Sequence, residues 1–153
     1  RQLLRKPHPV SGAGYVGNRL YIRLEGDEEA VVVASETLGG RVTTDGSFWD
    51  QVRDHEHSFF RRNRPLWRVS LARGAFGIPD NYPEQLVEWA GSQAWTFLDG
   101  DVSELGLGEG DYATPFRNVC ADLLKGVATE DFYARRLKFA FDPRGIFNPG
   151  TVA

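Results

Sequence analysis

Three short apolar segments near the middle of the chain constrain its fold more than any other feature. Residues 66–72, 85–90 and 93–98 are rich in aromatic and β-branched residues and are bounded by Pro, Gly or Asp, which predicts β-strands. Only Gly91 and Ser92 separate the last two segments, and so short a link is typical of a β-hairpin. Since a hairpin joins antiparallel strands, we expect an antiparallel sheet.

A fourth strand and three helices are predicted around these segments. Residues 19–25 alternate between apolar and polar side chains, which is typical of a strand with one buried face. Helical spacing and capping residues predict helices over residues 27–38, 47–61 and 129–141. Three consecutive valines at 31–33 make a strand the alternative for the first of these helices.

The segment 111–127 carries two conflicting patterns. Its first residues favour a strand, whereas the apolar residues from Phe116 to Val127 recur at helical spacing, with Pro115 suited to a first turn. We therefore predict a short strand ending near Thr114 and a helix after it.

The predicted elements indicate an α+β fold in which helices cover mainly one face of an antiparallel β-sheet. Residues 1–17 are rich in Pro and Gly and are expected to form an irregular N-terminal arm. Residues 18–141 are expected to form the main domain and residues 142–153 a C-terminal tail.

Composition limits the possible functions. The net charge of -3 argues against nucleic-acid binding, which favours a basic face. The lone Cys120 excludes an internal disulfide and suggests a reducing compartment. Without an apolar run of transmembrane length, direct membrane insertion is not expected. The sequence contains no methionine, from which we expect it to be a piece of a longer polypeptide.

No motif in the chain predicts catalysis by the protein's own side chains. Ser, Thr and Cys residues do not stand in a recognisable nucleophile motif, so no catalytic residue is assigned. His55 and His57 point away from each other on a helix, which argues against a metal site. Gly12, Gly14 and Gly17 spell a dinucleotide-binding motif, but no strand is predicted before it and no helix after it.

Arginines on predicted strands are the strongest candidates for ligand binding. Side-chain alternation places Arg23 and Arg68 opposite the buried residues of their strands, and Arg117 ends the segment 112–117 for which a fifth strand is the alternative to a helix. Guanidinium groups bind carboxylates through two parallel hydrogen bonds, so a carboxylate-binding sheet face is one interpretation. In the alternative, these arginines are solvated or pair with Glu25 or Glu88.

The chain's end, RLKFAFDPRGIFNPG at 136–150, resembles the C-terminus of FAD-linked oxidases of the vanillyl-alcohol oxidase and glycolate oxidase type. Other segments are similar, in the same order, to the FAD-binding subunit of bacterial glycolate oxidase. They are KPHPVSGA at 6–13, RLYIRLEG at 19–26, LGG at 38–40, FWDQVRD at 48–54, LWRVSL at 66–71, EWAGSQAW at 88–95 and ATPFR at 113–117.

This resemblance implies an FAD-dependent oxidoreductase that converts glycolate, a 2-hydroxy acid, into glyoxylate. It covers only the C-terminal half of such a subunit, so residues 18–141 would be the cap, or substrate-side, domain, and most contacts with FAD would come from an N-terminal domain that this sequence lacks. The isolated piece is therefore expected to be inactive. The implied partners are a paralogous FAD subunit and an iron-sulfur subunit. The implied location is cytoplasmic, with attachment to the inner membrane through those partners as an alternative.

The resemblance also implies roles for individual residues. Arg68 matches the arginine of the family's Leu-Trp-Arg strand, and we expect it to bind substrate together with Arg23 and Arg117. The tail residues that match the approach to the flavin are Phe147, Asn148, Pro149 and Gly150. The chain departs from the family at Ala94, where an arginine is usual, and at Ala90, where a glycine is usual.

Overall fold

The computed structural model describes residues 8–72, 84–120, 123 and 132–147, with the backbone alone for residues 132–135. The described strands are β1 (Val10–Val16), β2 (Arg19–Leu24), β3 (Leu66–Ser70), β4 (Gln85–Glu88), β5 (Gln93–Phe97) and β6 (Tyr112–Arg117). The described α-helices are α1 (Glu28–Leu38), α2 (Ser47–Arg53) and α3 (Phe132–Phe141). Short 3-10 helices are found at Ser58–Arg61, Trp89–Gly91 and Val102–Leu105.

The strands form one sheet in the order β2-β1-β4-β5-β3-β6, in which every neighbouring pair is antiparallel. The predicted hairpin between β4 and β5 is present, but its two-residue link is wrong: β4 ends at Glu88, which lies opposite Gln93, and the loop is residues 89–92. A second hairpin joins β1 to β2 through Gly17 and Asn18, which both have positive φ, as a tight hairpin turn requires. The predicted α+β class with an antiparallel sheet is confirmed.

Both faces of the sheet are covered in its middle. The face that we call the helix face packs against α2 and the 3-10 helix that follows it. Its buried cluster consists of Val52, Phe59, Phe60, Leu66, Leu86, Trp95 and Phe97. The opposite face packs against the segment after β5, and its buried cluster consists of Trp67, Val69, Leu71, Val87, Ala94, Leu98, Val102, Leu105 and Ala113.

The irregular arm predicted for residues 1–17 is wrong for residues 10–16, which form β1. The glycines that suggested a linker instead allow α2 to pack closely on this strand. A Cβ atom at Gly12 would lie 3.3 Å from the ring of Trp49, and one at Gly14 would lie 3.2 Å from the ring of Phe48. Glycine within a strand is typical of such a close approach.

The single helix predicted for residues 47–61 is wrong beyond Arg53. The amide of Asp54 still donates to the carbonyl of Asp50, but His55 has a left-handed backbone with φ of 58° and the helix ends there. The chain restarts as a 3-10 helix, whose first turn is capped by His57 Nδ1 accepting from the amide of Phe59 at 3.2 Å. This break turns the His55 ring toward the sheet.

The strand near residue 114 is longer than predicted. β6 continues to Arg117, so the helix predicted from Phe116 is wrong for its first residues. A bulge at Phe116 explains the conflict between the two sequence patterns, because the register shifts between Leu66, opposite Arg117, and Trp67, opposite Pro115. Residues 118–120 are not helical either, and residues 121, 122 and 124–127 lie outside the described residues.

The last helix ends where it was predicted to end, at Phe141. Leu137 and Phe141, which helical spacing places on one apolar face of this helix, are both exposed to solvent. Among the residues that the structure describes, there is no helix of the length and apolar character needed to cross a membrane.

Candidate functional site

The three predicted arginines all lie on the helix face, but only two of them lie near each other. Arg68 on β3 and Arg117 on β6 occupy neighbouring strands. Arg23 lies on β2, four strand spacings from β3, which is roughly 19 Å at the usual spacing in a sheet. The helix face is also covered rather than open, because α2 and the following 3-10 helix pack on it.

Arg23 is already paired. Its Nε donates to Ser11 Oγ at 2.9 Å and lies 3.4 Å from the carboxylate of Glu25. The guanidinium also stacks over the ring of Trp49, with 5.5 Å between its carbon and the ring centre. For this arginine the structure matches the alternative interpretation, in which Glu25 is the partner.

Arg68 is in a different situation. Its side chain is half-buried between Trp95 on β5 and Thr114 on β6, which lie directly opposite it. Its Nε atom is fully buried and has no hydrogen-bond partner among the described residues. Within the described part of the chain it makes no ion pair either, and Glu88, the alternative partner, accepts from Trp95 and Gln93. An unsatisfied buried donor costs about 1–3 kcal/mol, and more when the group is charged.

Arg117 ends β6 beside Arg68 and is only partly satisfied. Its Nη2 donates to the backbone carbonyl of Phe60, whereas its Nε is buried without a partner. Burial lowers the pKa of the nearby His55 imidazole, and the positive charge of Arg117 lowers it further, so the neutral ring is favoured at pH 7.

An aromatic cluster lies on the helix face around these charged groups. The His55 ring is 4.6 Å from the ring of Phe60, 4.9 Å from that of Trp95 and 4.9 Å from that of Phe116. Trp95 and Phe116 also meet edge to face at 4.9 Å. Apolar rings exclude water from the arginines and so strengthen any charge interaction made there.

Glu88 also lies on this face. The sequence indicated it only as an alternative ion-pair partner for the strand arginines. Its Oε1 atom accepts from Trp95 Nε1 at 2.7 Å and from Gln93 Nε2 at 2.5 Å. Among the described residues Oε2 has no hydrogen-bond donor. Alternation along β4 places Glu88 on the same face as Leu86, which is the sequence signal that could have identified it.

A cavity of about 600 Å³ opens on the helix face, a size typical of small-molecule sites. It is bounded by the start of β1, by α2 and by the turn after β4. Residues that line it include Arg23, Trp49, Arg53, His55, Glu88 and Trp89.

The turn after β4 is strained. Trp89, Ala90 and Gly91 have φ values of 50°, 57° and 94°, and a left-handed backbone costs roughly 1–2 kcal/mol for a residue with a side chain. Trp89 is 72% exposed. Trp67 and Trp95 are 0% and 4% exposed, so neither is available to anchor a partner protein, although tryptophan is often found at such hot spots.

The tail begins with a hydrogen-bonded turn built on Asp142. Its carboxylate accepts from the amides of Ile146 and Phe147, both at 2.9 Å, and from Lys138 Nζ at 2.5 Å. The bond from Lys138, assisted by those from the two amides, lowers the Asp142 pKa to about 2. Phe147 is left 67% exposed. The other predicted flavin contacts, at 148–150, lie outside the described residues.

No group of three or more His, Cys, Asp or Glu residues in the described part of the chain is arranged to hold a metal ion. His57 is used as a helix cap, and burial lowers its pKa.

The protein is an α+β domain with an antiparallel sheet. Two neighbouring arginines on its helix face, Arg68 and Arg117, each have an Nε atom without a hydrogen-bond acceptor among the described residues. These features are compatible with the substrate-side domain that the sequence resemblance implied. Over 150 residues the chain is 38% identical to "Glycolate oxidase subunit GlcE" of Escherichia coli (strain K12). The match covers 96% of this chain and 42% of that relative, so the chain spans less than half of the relative's length. The predicted similarity to a glycolate oxidase subunit is confirmed. No protein-family model and no solved structure matches the chain.

Proposed function

We propose that this chain is the substrate-side part of an FAD-dependent 2-hydroxy-acid oxidoreductase that converts glycolate into glyoxylate. The similarity to a glycolate oxidase subunit supports the reaction class. The observation that carries the residue assignment is the buried, unpartnered Nε of Arg68. We further propose a cytoplasmic protein that works with a paralogous FAD subunit and an iron-sulfur subunit.

The described residues do not form a phosphate cradle for FAD. The rings of Trp49 and Phe48 occupy the space in front of Gly12 and Gly14, so a pyrophosphate cannot approach these glycines. FAD would therefore be held mainly outside the described residues, with Phe147 as the described tail contact. In the overall reaction a hydride leaves C2 of the 2-hydroxy acid and a proton leaves its hydroxyl, and FAD is the acceptor of the hydride.

The role of this chain would be to bind and orient the substrate carboxylate. Arg68 Nε is a buried donor without an acceptor, and a carboxylate would satisfy it through a charge-assisted hydrogen bond. Arg117, on the neighbouring strand, offers a second unsatisfied Nε. Because both Nε atoms are buried, this interaction would be stronger than on an open surface.

Replacing Arg68 in the full complex tests this assignment. Arg68→Ala should raise KM for glycolate at least tenfold, because loss of one partner of a buried charge pair costs about 2–5 kcal/mol. Arg68→Lys should recover only part of this loss, since an ammonium cannot form the planar, two-bond contact.

Arg41→Ala is the matched control, because Arg41 is exposed and has no side-chain hydrogen bond or ion pair among the described residues. Thermal unfolding of each variant separates a binding defect from a folding defect. An unchanged KM in a folded Arg68→Ala complex would rule out the carboxylate role.

A second candidate function is docking of the domain onto a partner subunit without catalysis of its own. It is favoured by apolar side chains that remain exposed at the C-terminal end: Leu137, Phe139, Phe141, Ile146 and Phe147. Substrate reduction of this subunit's own flavin, measured while the partner's site is disabled, separates the two functions. A flavin that stays oxidised would favour docking alone.

A further inference from the structure

The cavity on the helix face is larger than a two-carbon acid needs and lies apart from Arg68, which does not line it. Its lining comes from several separate elements. These include residues 10–13 of β1, Trp49 and Arg53 of α2, Glu88 of β4, and Trp89 of the strained turn. A cavity formed by separate elements at the covered side of a sheet is a common place for a small-molecule site.

The arginines that line this cavity are already paired with carboxylates. Arg53 is bound by Asp50 at 2.9 Å and by Asp54 at 2.7 Å, and Arg23 is paired with Glu25. Each arginine that lines the cavity therefore already has a carboxylate of its own. Glu88 has no cationic partner among the described residues, and its Oε2 accepts no hydrogen bond there.

The groups beside Glu88 leave its negative charge in place. His55 also lines the cavity, and burial together with Arg117 lowers its pKa, so it adds no full positive charge at pH 7. Trp95 and Gln93 donate to Glu88 Oε1, but both are neutral. The part of the cavity near Glu88 is therefore suited to a positive charge.

Trp89 and Trp49 provide flat apolar surfaces at the same cavity. Trp89 has a left-handed backbone and is 72% exposed, an arrangement that costs stability. Strain of this kind is concentrated at sites that bind something. A ring that stacks on this indole would bury it, and aromatic faces also attract cations.

We propose that this cavity binds a small planar cation, of the class of aromatic amidines and amines. Glu88 Oε2 pairs with the positive charge, and Trp49 and Trp89 contact the ring. No part of this assignment depends on Arg68 or on glycolate.

Benzamidine and benzoate are matched probes, because they have the same ring and similar shape but opposite charge. The intact protein is titrated with each, and the indole N–H signals of its tryptophans are followed by NMR. Benzamidine should shift the signals of Trp49 and Trp89 in a saturable way and leave Trp67, on the opposite face, unchanged. Benzoate should produce no saturable shift.

Glu88→Gln keeps an acceptor for Trp95 and removes the charge, so it should weaken benzamidine binding at least tenfold, or about 1.4 kcal/mol. Trp89→Ala should weaken it about threefold or more. Glu109→Gln and Tyr112→Ala are the controls, because both residues are exposed and lie outside the cavity lining. Both should bind as the unchanged protein does.

An unshifted Trp67 indole signal in Glu88→Gln confirms that the variant keeps its fold, because Trp67 Nε1 donates to the carbonyl of Leu98 on the opposite face. Equal binding of benzamidine and benzoate, no saturable shift with benzamidine, or undiminished benzamidine binding in folded Glu88→Gln would each overturn the proposal. Arg68→Ala should leave benzamidine binding unchanged, so failure of this site and failure of the glycolate site are distinguishable.

Discussion

The contact between β1 and α2 makes Gly14 a sensitive position for stability. A Cβ atom at Gly14 would lie 3.2 Å and 3.3 Å from two carbons of the Phe48 ring, closer than ordinary carbon contacts. Phe48 cannot easily move away, because its ring is stacked on Tyr21 at 3.7 Å and meets Trp49 edge to face at 4.9 Å. Gly14→Ala should therefore push α2 away from the sheet.

The expected loss is the difference between two effects. Forcing one methyl group into a well-packed site costs about 1–3 kcal/mol. Alanine restricts the unfolded chain more than glycine does, which offsets about 0.4–1 kcal/mol of that cost. We expect a net loss of about 1–2 kcal/mol in the free energy of unfolding, which lowers Tm by roughly 2–8 °C in a protein of this size.

Urea unfolding of Gly14→Ala measures this loss directly. Gly108→Ala is the matched control, because its Cβ would meet only Asp111 Oδ2 at an ordinary 3.4 Å. The control should be neutral or slightly stabilising. In a Phe48→Ala background the Gly14→Ala change should cost much less, since the opposing ring is absent. If Gly14→Ala is as stable as Gly108→Ala, the close approach of α2 to β1 is wrong.

Two pH titrations test the electrostatic arrangement. The Asp142 pKa is about 2, below the ordinary 3.8, so the contribution of this carboxylate to stability is complete above about pH 4 and is lost as the pH falls through about 2. The amide signals of Ile146 and Phe147 should follow that midpoint by NMR and become insensitive to pH in Asp142→Asn; a midpoint near 3.8 would contradict the turn. The His55 pKa is lowered from 6.5 mainly by burial, so stability should decrease as the pH falls below 6.5. Its ring protons should titrate below 6.5, and Arg117→Ala should raise that midpoint; titration at 6.5 or above would place His55 in open solvent.

Elements with a local signal could be predicted from the sequence. β2 was recognisable because its apolar residues alternate, and the β4–β5 hairpin because Gly91 and Ser92 separate two β-rich segments. α1 was recognisable despite its three valines because Asp27 caps it, with Oδ1 accepting from the amide of Glu29 at 3.0 Å. In each case the deciding interactions lie within a few residues along the chain.

Features that depend on distant residues could not be predicted in the same way. β1 was missed because Gly12 and Gly14 weaken a strand locally, and only the rings of α2 explain their presence. Alternation identified which side of the sheet Arg68 occupies but not that α2 covers it. The role of Glu88 could not be predicted either, because it depends on the hydrogen bond that Glu88 accepts from Trp95 across the hairpin.

The strand order has a consequence for how the chain folds. β1 pairs with β2 through a two-residue turn, but its other neighbour is β4, and the register that joins Tyr15 to Val87 closes a long loop. Loop closure costs entropy before any contact offsets it, and non-local strand pairs form slowly. We expect the β1–β2 hairpin to form early and to remain unattached until β4, β5, β3 and β6 have assembled. The cavity, which needs both β1 and the turn after β4, would be among the last parts of the molecule to form.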